Sequence, residues 1–189
     1  DAEANGYEYI ETYNEMMALK EGSSSFAQFS GNLWEIEPAN ESTPNLEEMA
    51  VKAVDILDDT DEGFFIMIEG AHIDKHSHNN DSEKMTESLL EFDRTVEAML
   101  DYAEKDGETL VVVTADHETG GLVYDDGSYN YTSDGHTAED VPVLVYGSEK
   151  LIDSKEKLNN YEIPIRIAYV IGFGNDEFPI SNLDKKKAG

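Results

Sequence analysis

An α/β fold with a mostly parallel sheet is predicted by three features of the sequence. Three apolar runs lack polar alternation: Gly63–Gly70 (GFFIMIEG), Leu110–Thr114 and Asp140–Gly147 (DVPVLVYG). Strands covered on both faces read this way. A helical stripe separates the first two runs, with Met85, Leu89, Phe92, Val96, Met99 and Ala103 recurring at steps of 4 and 3. Acids and histidines gather where the first two runs end. In open α/β sheets, ligands bind beyond the carboxyl ends of strands.

In chain order, Gly6–Ile10 reads as a short strand after a turn, and the stretch TYNEMMALK that follows it reads as a helix. EGSSSFAQFSGN is small and polar and reads as a loop. Thr43-Pro44 resembles a helix start with proline at the first helical position, followed by Leu46, Met49, Ala50, Ala53, Val54 and Leu57 at helical spacing. After the first apolar run, Asp81 or Ser82 can cap the helix that carries the stripe. Ile163, Ile167, Val170 and Ile171 predict a last helix near Pro164, and the tail DKKKAG reads as mobile. No linker or repeat divides the chain, so residues 1–189 are expected to form a single domain.

The bulk composition excludes several classes. Lys+Arg of 13 against Asp+Glu of 42 leaves a net charge of −29, which argues against nucleic-acid partners because phosphate contacts need Lys and Arg. The acids are dispersed, as on a highly solvated surface or one adapted to a cation-rich setting. No apolar run approaches the roughly 20 residues of a membrane helix. With no cysteine, disulfides and thiolate metal sites are excluded. The first residues carry no initiator Met and no signal-peptide pattern, so a processed or excised piece is expected.

All five histidines fall in three short segments that also carry acids: IEGAHIDKHSH, TADHETGG and DGHTAED. Asp74 and His78 are four apart, so one helical turn brings both side chains to one side. A carboxylate and an imidazole are good zinc ligands, and His136 from a distant loop would make a three-ligand site with one open position. Asp116 and His117, at the end of a strand before Gly120-Gly121, form a second ligand pair. Two ions roughly 3.5–4 Å apart form a clamp for displacement at phosphorus. Glu69 is a hard oxygen donor suited to Mg²⁺. His72 and His76 are the weakest candidates; His76, two residues from both Asp74 and His78, should point away from their side of a helix.

GFFIMIEGAHIDKHSH, TLVVVTADHETGGL and GHTAEDVPVLVYG, in that order over Gly63–Gly147, resemble the alkaline phosphatases; TPNLEEMAVKAVDIL resembles the helix that precedes the first motif in that family. The resemblance implies a three-layer α/β/α sandwich and hydrolysis of phosphate monoesters through a phosphoserine, with two Zn²⁺ and one Mg²⁺. It implies Asp74, His78 and His136 as ligands of one zinc, Asp116 and His117 as ligands of the other, and Glu69 on magnesium. Lys75 matches a position that in some members reaches the phosphate through water. It also implies a homodimer outside the cytoplasm, whether periplasmic, secreted or at the cell surface.

The family nucleophile is a serine after an aspartate, in an Asp-Ser-Ala/Thr context. The pairs Asp81-Ser82 and Asp153-Ser154 lack that context, and Arg94 and Arg166 do not stand where the family's phosphate-gripping arginine does. The chain is therefore expected to be the C-terminal portion of such a catalytic domain, inactive alone. The alternatives are a related two-metal phosphomutase or phosphodiesterase, and a non-catalytic metal-binding or interaction module.

Overall fold

A computed structural model describes residues 2–29, 43–58, 63–148, 151 and 156–172. Asp153-Ser154 and the C-terminal tail lie outside the described residues. The chain opens with β1 (Glu8–Ile10), α1 (Tyr13–Ala18) and β2 (Ser25–Ala27). β1 and β2 pair in parallel, so the polar stretch expected to be loop contains a strand. Helix α1 starts in a reciprocal cap, in which the Thr12 side chain accepts from Glu15 N–H and the Glu15 carboxylate accepts from Thr12 N–H. Ile10, Met16 and Leu19 form a buried cluster with Tyr13, Phe29, Met49 and Ile56 packed against it.

α2 (Leu46–Leu57) carries two of those partners, Met49 and Ile56. Its N-cap is Asn45, so the helix starts later than Thr43-Pro44 suggests. Asn45 and Glu48 form a capping box with the amide-for-hydroxyl exchange that the motif tolerates. α3 (Ala71–His78) and α4 (Ser82–Asp106) follow, and α4 packs against both α2 and α3. Asp81 caps α4 by accepting from Lys84 N–H at 3.0 Å, as the sequence predicts. The buried line along α4 is rotated from the expected stripe. Met85 and Ala103 are buried, but Ser88 and Thr95 take inward positions while Leu89 is 47% exposed. Both hydroxyls donate to carbonyls four residues back, so neither is buried unsatisfied.

Three antiparallel ladders follow α4. β3 (Val111–Thr114) pairs with β8 (Val143–Tyr146), β4 (Glu118–Thr119) with β7 (His136–Thr137), and β5 (Val123–Asp125) with β6 (Ser128–Asn130). The mostly parallel sheet expected from the apolar runs is not what these residues build. A parallel return needs a long crossover, usually a helix. The path from Thr114 to Val143 instead runs through two short ladders and contains no helix, so β8 comes back antiparallel, with Thr114 opposite Val143.

Gly63–Gly70, read as a buried strand, joins no ladder among the described residues. Its exposure alternates with the period of an extended chain. Phe64 turns inward to the ring of Tyr102 on α4, whereas Phe65 is 74% and Met67 is 80% exposed. The segment delivers the chain to Gly70, which sits against Phe92; a Cβ on Gly70 would meet that ring at 2.8 Å. α3 is thereby pressed onto α4. α5 (Glu162–Val170) is the predicted last helix. Ile163 and Ala168 are its buried residues, and the expected contributors Val170 and Ile171 are exposed. No helix among the described residues is long and apolar enough to cross a membrane.

Candidate metal centre

Helix α3 carries Asp74 and His78 one turn apart, and strand β7 carries His136. The approach of β7 fixes the tautomer of His78. Its Nδ1 lies 2.6 Å from the carbonyl oxygen of Asp134, so Nδ1–H donates there and Nε2 presents a lone pair. That Nε2 lies 3.1 Å from His136 Nε2 and 3.4 Å from Asp74 Oδ1, and His136 Nε2 lies 3.7 Å from Asp74 Oδ1. Two bare imidazole nitrogens at such a separation repel, and a proton or a cation between them removes the repulsion. A tetrahedral zinc with bonds of about 2.0–2.1 Å has ligand–ligand edges of about 3.3 Å. The three observed edges bracket that value. Among the described residues, this is the group of three His or acidic side chains whose ligand atoms lie close enough to share an ion.

Asp116 and His117 follow β3 and stand beside this trio. The His117 ring stacks on His136, with centroids 3.5 Å apart and planes 21° from parallel. His117 Nε2 is 3.3 Å from Asp116 Oδ2, and Asp116 is 85% exposed in its side chain. Lys75 follows Asp74 on α3 and is half-buried; Glu69 is exposed and immediately precedes Gly70. His72 and His76 lie on another side of α3, where their rings stack at 5.9 Å. His76 is buried; that burial, and then the neighbouring His72, push its imidazole below the ordinary range.

Three further residues shape the centre without having been singled out in the sequence. Thr119 donates from its hydroxyl to Asp74 Oδ1 at 2.6 Å and lies 3.2 Å from His117 Nδ1. It stands two positions after His117, and strand periodicity would have put both side chains on one face. Asp134 acts through its carbonyl, which leaves no side-chain signal. Glu118 accepts from Gly121 N–H and Leu122 N–H at 3.1 and 3.0 Å, and from the Thr137 hydroxyl. Burial alone would raise its carboxyl; the hydrogen bonds from Thr137, Leu122 and Gly121 outweigh it and hold the group below the usual carboxylate range.

The Gly120-Gly121 turn is sterically committed. Gly120 has φ +91° and Gly121 φ +56°, and a Cβ would lie 2.4 Å from the Tyr131 ring or 2.2 Å from Thr132 Oγ1, respectively. Gly120 N–H donates to Gly135 O, while Thr132 N–H and Ser133 N–H donate to Gly120 O. The turn after His117 is thus laced to the segment that brings Asp134 and His136 to α3.

The sequence pattern of the alkaline phosphatases matches residues 1–133. The chain belongs to the alkaline phosphatase family. Alkaline phosphatase 4 of Bacillus subtilis (strain 168) is 35% identical over 117 residues, which is 62% of this chain and 25% of that enzyme. The alkaline phosphatase of the Antarctic bacterium TAB5 has a similar structure, with a TM-score of 0.77 and 28% identity, covering 91% of this chain and 54% of its own. A variant of the TAB5 enzyme, solved with Mg bound, gives a TM-score of 0.72 at 29% identity, over 89% of this chain and 53% of its own. The chain thus spans about a quarter of the length of this sequence relative and little more than half of these structures. The similarity to solved structures supports an alkaline phosphatase-like α/β fold for this chain.

Proposed function

We propose that this chain supplies the metal-binding part of a phosphomonoesterase. The reading rests on one observation: Asp74, His78 and His136 converge to within an ion's reach, with His117 stacked against them. Asp74, His78 and His136 would hold one zinc, Asp116 and His117 would contribute to a second, and Glu69 would contribute to a magnesium site. Such ions supply Lewis-acid polarisation of a phosphoryl oxygen. The chain's own residues set the stage for that chemistry. Asp134 locks His78 in the tautomer whose Nε2 is a ligand, and Thr119 orients the Asp74 carboxylate. Lys75, next to Asp74, is placed in this reading to contact the phosphate through water.

The nucleophile of the reading is a serine after an aspartate, and neither Asp-Ser pair of the chain is suited to the role. Asp81 is engaged as the cap of α4, and Ser82 is that helix's first residue. The proposal is therefore that hydrolysis through a phosphoserine belongs to a longer polypeptide, and that residues 1–189 bind metal without turnover. The exposed apolar side chains of Phe65, Met67 and Leu144 are read as faces of a larger α/β/α sandwich with a mostly parallel sheet.

The test compares p-nitrophenyl phosphate hydrolysis, with Zn²⁺ and Mg²⁺ present, by this chain and by a longer coding sequence containing an Asp-Ser-Ala/Thr segment. Turnover is expected only from the longer protein and is expected to disappear on chelation. Turnover by the chain alone would overturn the inactivity claim. Absence of turnover in the longer, metal-loaded protein would overturn the enzyme reading.

A further inference from the structure

We propose that Glu118 is the positioning residue that holds His117 and His136 in register. β4 and β7 form a ladder of two residue pairs, Glu118 opposite Thr137 and Thr119 opposite His136. Side chains alternate across such a ladder, so one pair faces the centre and the other faces away. Thr119 and His136 are the pair at the centre, since Thr119 donates to Asp74 and His136 lies 3.7 Å from the same carboxylate. Glu118 and Thr137 occupy the reverse face, where the Thr137 hydroxyl donates to Glu118 Oε2.

A two-pair ladder has little cohesion of its own. The Glu118 carboxylate supplies what is missing by tying three places together. Oε2 receives Thr137, the neighbour of His136, and also Gly121 N–H at 3.1 Å; Oε1 receives Leu122 N–H at 3.0 Å. His117 precedes Glu118 directly. One carboxylate therefore links the residue after each of the two stacked histidines, and pins the glycine turn that leaves β4. Charged acceptors make the stronger hydrogen bonds, and three of them on one side chain define its position. Glu118 touches none of the three converging ligand atoms, so its role is indirect.

The zinc part of the test rests on the proposed function; the ring-contact part does not. In the 189-residue chain with ¹⁵N,¹³C-labelled histidine, the metal-free protein is expected to show a ring-to-ring nuclear Overhauser contact between His117 and His136. Glu118→Gln and Thr137→Val are each expected to abolish that contact. Each should also weaken zinc binding about ten- to a hundredfold, the usual loss for a group that orients a ligand. Thr137→Ser, which keeps the hydroxyl, should restore both. If Glu118→Gln fails to fold, the Thr137→Val and Thr137→Ser pair decides. An unmutated chain without the ring contact, or a folded Thr137→Val chain that keeps both the contact and zinc affinity within twofold, would overturn the proposal. An unmutated chain that shows the contact but binds no zinc would count against the metal centre and leave the role of Glu118 to be read from the contact.

Discussion

Thr119 Oγ1 donates a 2.6 Å hydrogen bond to Asp74 Oδ1 and lies 3.2 Å from His117 Nδ1. One hydroxyl thus joins helix α3, which bears Asp74 and His78, to the strand that follows Asp116 and His117. Thr119→Val keeps the shape and removes the link. The expected result is zinc binding about tenfold weaker by calorimetry, with an unchanged far-ultraviolet circular dichroism spectrum. Affinity within twofold of the parent would show that Asp74 is oriented without Thr119.

The Gly120-Gly121 turn should be intolerant of side chains, for more than backbone reasons. Gly107, at the end of α4, also has a positive φ (+77°), but a Cβ there meets open space. Gly107→Ala is expected to cost about 1 kcal/mol of stability in urea unfolding, from the left-handed backbone alone. Gly120→Ala adds collision with the Tyr131 ring and should cost about 2–3 kcal/mol. Equal losses would mean that Tyr131 yields to the added methyl group.

Tyr102 gives a pH signature for the packing of α4. Burial first, and then a hydrogen bond and the charge of Asp58, push its phenol up to about 12 from an ordinary 10.0. Between those values the folded chain holds a proton that the unfolded chain has released. The stabilisation is therefore complete below pH 10 and is lost as pH rises towards about 12. Urea midpoints taken across that window should fall more steeply in the parent than in Tyr102→Phe. Parallel pH profiles would contradict the assignment.

Lys75 is predicted to separate phosphate binding from metal binding. In the zinc-loaded chain, Lys75→Ala is expected to leave zinc affinity within twofold and to weaken binding of inorganic phosphate. A loss of zinc affinity equal to that of His78→Ala would place Lys75 in the support of the metal site instead.

Part of the candidate site's geometry was legible because its information is local. Asp74 and His78 are a helical pair by spacing, and α3 is a helix. The Asp81 cap of α4 was likewise written in adjacent residues. What could not be read was non-local. The apolar runs identify Val111–Thr114 and Val143–Tyr146 as strands, but their relative direction depends on the path between them, and that path turns back through β4 to β7. Ser88 and Thr95 were poor candidates for buried positions until their hydroxyls were seen to donate within the helix. The carbonyl of Asp134 selects the His78 tautomer by backbone position alone, which no residue type announces.

The most direct test of the metal centre is zinc titration of the 189-residue chain by calorimetry near neutral pH, repeated on His136→Ala. At least one tight site is expected in the parent, weakened at least about a hundredfold when His136 is removed. Weak zinc binding by the folded parent, or equal affinity in the two proteins, would contradict the claim that Asp74, His78 and His136 form one site.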